Sequence, residues 1–298
     1  MLWLLACTAD LLPGEVIVGV DVPATRWDGA ANERFGAVVA GDVNGGYAAA
    51  PGVPVERALL SGGVVDDGVT ASWVGVGGGH VYASSADGTW WLDGVAQPPV
   101  ADAVAWAASD TGLVVATKEG WTMPLAGVSV AQRGITSMEI GDRGVLAVVC
   151  TPDCEVDAWA VDGVGMGIRL TVGVGGAVGE WAGMGWAGDP QDDVDDGAGK
   201  VCNEIGNCIF GQTGDHLGRT IGGGFAAGTF NKWIVPARAR FVPLMFGESG
   251  AGTVLSLESG AENQALAVAG DDEAVYLGAP YYEEDGQPGG AVFAVARP

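Results

Sequence analysis

Short runs in which apolar and polar or small residues alternate, broken by a tight turn and followed by a second apolar run, recur along the chain. Ala71-Ser72-Trp73-Val74-Gly75-Val76-Gly77-Gly78-Gly79-His80-Val81-Tyr82 is one such segment. A second runs from Ala103 to Val115 through Asp110-Thr111-Gly112, and a third from Met138 to Val149 through Gly141-Asp142-Arg143-Gly144. Alternation with a period of two predicts strands, and a turn centred on Gly or Asp between two of them predicts a β-hairpin.

One residue in each turn serves as a marker: Gly46, Gly79, Gly112, Gly144, Gly176, Asn231 and Glu273. Successive markers lie 33, 33, 32, 32, 55 and 42 residues apart. Hairpins at a near-constant spacing predict a repeat fold in which neighbouring units bury one another's faces. The expectation is an all-β protein, a β-propeller of seven blades, with six blades or another all-β repeat as alternatives. A period near 33 leaves little slack for four strands, so some middle blades are expected to be reduced to three.

Glu15 to Val20 and Gly290 to Val295 are short apolar strands near opposite ends of the chain, and they are expected to share the blade that closes the ring. The interval of 55 is read as an acidic insertion at about 188–212, within one domain spanning 15–298 after a tether at 1–14.

Composition agrees with this reading. Gly occurs 52 times, apolar residues make up 48% and charged residues 17%, with no long stretch rich in Ala, Leu, Glu and Lys to build helices. The 37 acids against 13 Lys and Arg give a formal charge of −24, which repels a phosphate backbone and excludes nucleic acid as a partner.

The five cysteines fall into one singleton, Cys7, and two close pairs, Cys150/Cys154 and Cys202/Cys208. Bridging Cys150 to Cys154 requires Thr151-Pro152-Asp153 to turn the chain back, and Asn203 to Asn207 is also turn-forming. Four cysteines permit three pairings, and the local one is expected. A zinc site is the rival, but C-x3-C and C-x5-C are not the usual knuckle spacings. Disulfides point to an oxidising compartment.

Leu4-Leu5-Ala6-Cys7 resembles the lipobox of bacterial lipoproteins. That resemblance implies lipidation at Cys7, membrane contact only through the resulting anchor, and export to the outer membrane or cell surface, with the periplasmic face as an alternative. Met1 to Ala6 is itself too short for a signal peptide or a membrane span.

Phe35-Gly36-Ala37-Val38-Val39-Ala40-Gly41-Asp42-Val43-Asn44-Gly45-Gly46-Tyr47 resembles an FG-GAP repeat, the blade unit of integrin α-subunit propellers. Gly218 to Ala237 and Ala265 to Tyr281 carry weaker echoes, so the likeness covers about a third of the chain. It implies a cell-surface module for protein or adhesive contacts, with a protein or a surface glycan as partner. In that family an Asp-rich hairpin often holds Ca²⁺. Asp42 and Asn44 match its first two ligand positions, but the next acid is missing, and calcium takes six to eight oxygens. Apart from the resemblance, Asp192, Asp193, Asp195 and Asp196 form the densest carboxylate cluster, a solvated loop or a second candidate for Ca²⁺.

Catalytic chemistry is poorly supplied. His80, in a hairpin turn, and His216 are the two histidines; His216 beside Asp215 could act as a base or a ligand but reads as an exposed loop histidine, and no Ser or Cys stands in a nucleophile-elbow context. The Gly75–Gly79 and Gly222–Gly224 runs lack the features of phosphate loops and read as turn and packing glycines. Of 11 tryptophans, Trp90, Trp91, Trp181 and Trp186 could line a sugar-binding face, although packing between blades accounts for them as well. The expectation is a non-catalytic binding module. The alternative is a polysaccharide hydrolase or lyase with acids around the central channel.

Overall fold

A computed structural model describes residues 14–29, 34–42, 45–50, 53–58, 64–191, 197–229, 238–244, 252–258, 266–270, 273–280, 282–284 and 287–297. Among these residues the chain lays down seven successive sheets, six of four strands and one of five, besides a ribbon pairing Glu283–Glu284 with Gln287–Pro288. Blades 1 to 7 span residues 38–71, 73–97, 103–131, 135–171, 178–210, 220–258 and 267–296. Their innermost strands are Val38–Asp42, Trp73–Gly77, Ala103–Ser109, Ile135–Gly141, Val178–Trp181, Thr220–Gly222 and Ala267–Gly270. Each contacts the next, and the last contacts the first, so the sheets close into a ring. The fold is a β-propeller.

The burial pattern explains why these sequences form these strands. The second strand of a blade is covered on both faces by neighbouring blades and therefore reads as a continuous apolar run. Leu113, Val114, Val115 and Ala116 are almost wholly buried, as are Val145 to Val149. Inner strands alternate instead, as in Ile135–Gly141, where Ile135, Met138 and Ile140 pack inward. Among the described residues no middle blade is reduced to three strands: strands as short as Trp90–Leu92 and Val95–Gln97, joined by short turns, fit four within the tight repeat.

Closure differs in detail from the expectation. Ala24–Asp28 pairs antiparallel with Ala291–Ala296 and completes blade 7, burying Trp27. Glu15–Ile17 adds instead to blade 6 as a fifth strand, parallel to Val254–Glu258. Glu15 is anchored there by Arg240 (3.2 Å) and by the Ser256 hydroxyl, which donates to it at 2.5 Å.

The markers Gly79, Gly112 and Gly144 do sit at hairpin turns. Gly176 does not: it lies in the connection from blade 4 to blade 5, and the hairpin of blade 5 turns at Ala182-Gly183. The apparent insertion supplies regular structure, because Lys200–Asn203 and Cys208–Phe210 are the third and fourth strands of blade 5. The misplaced marker inflated that interval.

Both disulfides are local. Cys150 and Cys154 are register partners across the second and third strands of blade 4, with Cα atoms 4.0 Å apart. Cys202 and Cys208 are partners across the third and fourth strands of blade 5, at 4.1 Å. The zinc reading is thereby overturned, since the four sulfurs are consumed pairwise in different blades.

In the FG-GAP-like segment, Gly41 and Gly46 are cross-strand partners, and a Cβ on either would run into the buried Tyr276 ring of blade 7. The two glycines make a flat seat for that ring. Gly77 is another close approach, because a Cβ there would fall on the backbone of Ser109 in blade 3.

Candidate functional site

In a four-stranded meander, the turns between strands one and two and between strands three and four emerge at the same end. Contacts tie these turns together here: His80 meets Asp93 at 2.7 Å within blade 2, and the Arg143 guanidinium meets Glu204 at 2.6 Å from blade 4 to blade 5. Neighbouring first turns are also stitched around the ring. The Gly78 N–H donates to Asp110, and the Thr111 hydroxyl donates to the Gly141 carbonyl. Arg143 also donates to the Gly183 carbonyl.

At this end the bore opens into a cavity of about 740 Å³. Its walls are the inner strands and first turns, glycine-rich and therefore thin, with Glu139, Asp142, Glu180, Trp73, Trp106 and Trp181 among the lining side chains. A second cavity of about 410 Å³ opens from the opposite end between blades 2, 3 and 4. Trp73 and Trp106 line both cavities and stack on each other, with ring centroids 6.1 Å apart and planes at 28°. The pair partitions that side of the bore.

The acids of the large cavity are electrostatically coupled. Glu139, on the inner strand of blade 4, is half-buried in the bore wall, and removal from bulk water together with the charge of Glu180 pushes its carboxyl up to about 8. Burial also raises Glu180, opposed by the Arg143 N–H that it accepts and reinforced by Asp142. Arg143 is held protonated by its hydrogen bond to Glu204. At the rim, Arg297 lies over the Trp181 ring at 4.5 Å and donates to the Gly223 carbonyl.

At this same end, exposed aliphatic side chains stand at or beside the turns between third and fourth strands, outside the lining of the cavity. Val95, Leu125, Val164 and Ile205, from blades 2 to 5, are between 54 and 70% exposed. The Cys202–Cys208 bridge closes the turn that bears Ile205, and the Asn203 side chain accepts the N–H groups of Ile205 and Asn207.

The residues singled out in the sequence are distributed as follows. Cys7, Asn44, Asp192, Asp193, Asp195 and Asp196 lie outside the described residues, and Asp42 ends the inner strand of blade 1. Among the described residues no three or more His, Cys, Asp or Glu gather as a metal site. His216 is half-buried, contrary to an exposed loop position, with its ring nitrogen 3.1 Å from the Pro190 carbonyl. Its neighbour Asp215 turns away to Arg240, so the two do not form a catalytic pair. Trp90 and Trp186 are core residues, whereas Trp181 faces the bore. Glu139 and Glu180 escaped the reading of the sequence. Each occupies a polar slot of an alternating inner strand, which sequence alone does not separate from a solvent-facing position.

No protein-family description matches the chain, and no curated protein matches it. Solved structures do. The N-terminal domain of Nup159 aligns with TM-score 0.51 at 12% identity, covering 97% of this chain and 100% of that one. The computationally designed Ika8 protein gives 0.49 at 14% identity over 90% and 98% of the two chains. BamB from Moraxella catarrhalis gives 0.45 at 13% identity over 92% and 96%. At such identities the likeness is one of fold alone.

Proposed function

We propose that this chain is a non-catalytic, seven-bladed binding module that engages a protein partner through the end of the propeller bearing the large cavity. The observation that carries the reading is the coincidence, at one end, of an acidic bore mouth with an arc of exposed aliphatic turn tips. A partner spanning this end would cover the apolar tips of four blades together with the acidic mouth, the mixture of apolar and polar surface that protein interfaces carry. Neither histidine lines the large cavity: His80 pairs with Asp93 across two turns of blade 2, and His216 contacts the Pro190 carbonyl.

The two disulfides fit an oxidising compartment. With the lipobox-like Leu4 to Cys7, they support an exported protein anchored through a lipid on Cys7. The FG-GAP-like segment in blade 1 supports an adhesive or assembly role, with Ca²⁺ at the 192–196 loop as an optional ligand.

Cross-linking and recovery from the native envelope, with and without chelator, test the reading. Charging the rim (Leu125→Asp with Ile205→Asp) should abolish recovery of one defined partner. Val174→Asp, in the connection at the opposite end, should not. Equal recovery by both variants would overturn the proposal, and sensitivity to chelator would identify the calcium contribution.

A further inference from the structure

We propose that the bore mouth receives the primary ammonium group of a lysine side chain carried on a partner polypeptide, held between the carboxyls of Glu139 and Glu180. This rests on the reading of that end as a docking surface and names what enters it.

Glu139 faces a cavity of about 740 Å³ and has no hydrogen-bond or ion-pair partner among the described residues. The charge that acts on it is Glu180, on the inner strand of blade 5, and Glu180 in turn feels Asp142, Arg143 and Glu204 from the turns above. Arg143 cannot serve as its counter-ion, because its guanidinium is committed to Glu204 at 2.6 Å and to the Gly183 carbonyl at 3.0 Å. A carboxyl set in the bore wall with no counter-ion keeps its proton, and a cation that enters the cavity supplies the partner that lets it ionise.

The chemistry of the partner follows from what surrounds the two carboxyls. A metal ion would require converging ligands, and no three or more His, Cys, Asp or Glu gather among the described residues. A neutral sugar would gain nothing from the mutual repulsion that raises both carboxyls, whereas a cation relieves it. An ammonium on a slim four-carbon stem carries three donors that rotate freely, enough to reach carboxylates projecting from two different strands. Tryptophans 106 and 181 line the same space, and Arg297 already rests a cation on the Trp181 ring at the rim.

A polypeptide bearer is favoured over a free amine by the rim. Val95, Leu125, Val164 and Ile205 extend the contact outward beyond anything a small amine could cover. The net charge of −24 draws a basic segment toward the chain before contact. Because Glu139 holds a proton at neutral pH, arrival of the ammonium displaces that proton to the buffer while the lysine remains charged.

The test uses the peptide acetyl-Gly-Gly-Lys-Gly-Gly-amide, its norleucine counterpart and spermidine. Each is titrated calorimetrically at neutral pH in two buffers of different ionisation enthalpy, with tryptophan fluorescence as a second readout. The lysine peptide should bind with release of up to one proton, and the norleucine peptide should bind about tenfold more weakly or worse. Glu139→Gln with Glu180→Gln should weaken the lysine peptide by a similar factor and abolish the proton release, with thermal melts confirming the fold.

Equal binding of the lysine and norleucine peptides, or unaltered binding by the double variant, would overturn the proposal. Spermidine binding as tightly as the peptide would overturn the polypeptide assignment. If the lysine peptide fails while the rim variants still lose their partner, this inference fails and the docking surface stands. If the peptide binds but the rim variants keep their partner, the docking surface fails instead.

Discussion

Arg240, in blade 6, places its Nε 3.2 Å from the carboxylate of Glu15, 225 positions earlier in the chain, and its Nη1 3.2 Å from Asp215. All three are at least 94% buried, and the cluster clamps the N-terminal strand and the loop entering blade 6 onto one guanidinium. Removing one member of such a cluster is costly because the remaining charges stay buried. Arg240→Ala should therefore destabilise the protein by about 3–5 kcal/mol. Denaturant unfolding monitored by tryptophan fluorescence would measure it. Arg240→Lys should recover only part of the loss, since a single ammonium cannot span two carboxylates as a planar fork does.

Blade spacing depends on where a side chain is missing. Gly77 lies against the backbone of Ser109, which cannot move aside as a flexible side chain would. Gly77→Ala should cost about 1–3 kcal/mol through overpacking between blades 2 and 3. Gly167→Ala in blade 4 is the control, since nothing lies within 4 Å of its added carbon. That variant should be neutral or slightly stabilising, because alanine has less backbone entropy to lose. Parallel thermal melts distinguish the two.

The propeller was legible because its second strands are covered on both faces and its turns need glycine, so runs such as Val145 to Val149 after Gly144 stand out. Blade 5 was harder. The connection Val172 to Ala177 has the glycine content of a hairpin turn, and composition alone does not separate a turn within a blade from one between blades. The local disulfides were legible from spacing and turn chemistry. The bore acids were not: Glu139 and Glu180 are 41 positions apart and occupy polar slots of ordinary alternating strands. Only ring closure sets them in one cavity. The converse holds at His216, whose sequence neighbour Asp215 serves Arg240 in space.

Reduction should loosen turns and spare the ring. The two bridges close loops with sequence separations of 4 and 6, and chain-entropy reasoning assigns such short loops about 2 kcal/mol each. Each bridge also lies inside one blade and crosses no boundary between blades. Mild reductant should therefore lower the melting temperature by several degrees while leaving the far-ultraviolet circular dichroism unchanged at room temperature. Hydrogen exchange should rise locally at residues 202–208. Loss of the β-sheet signal on reduction alone would contradict the local pairing.

The acidic bore should give the protein a pH dependence traceable to one residue. Glu139 holds its proton up to about 8 in the folded protein, against an ordinary value of 4.5. Below the ordinary value both folded and unfolded chains are protonated there, and the site contributes no pH dependence. Between the two values the unfolded chain releases the proton while the folded chain keeps it, so stability falls as pH rises. Above about 8 the folded form ionises as well, and the penalty levels off. Glu139→Gln removes this ionisation from both states. The melting temperature of Glu139→Gln minus that of the unmodified protein should therefore grow from pH 5 to pH 8 and flatten beyond, in melts run at constant ionic strength. A difference that stays constant across that range would show that Glu139 ionises normally in the folded state.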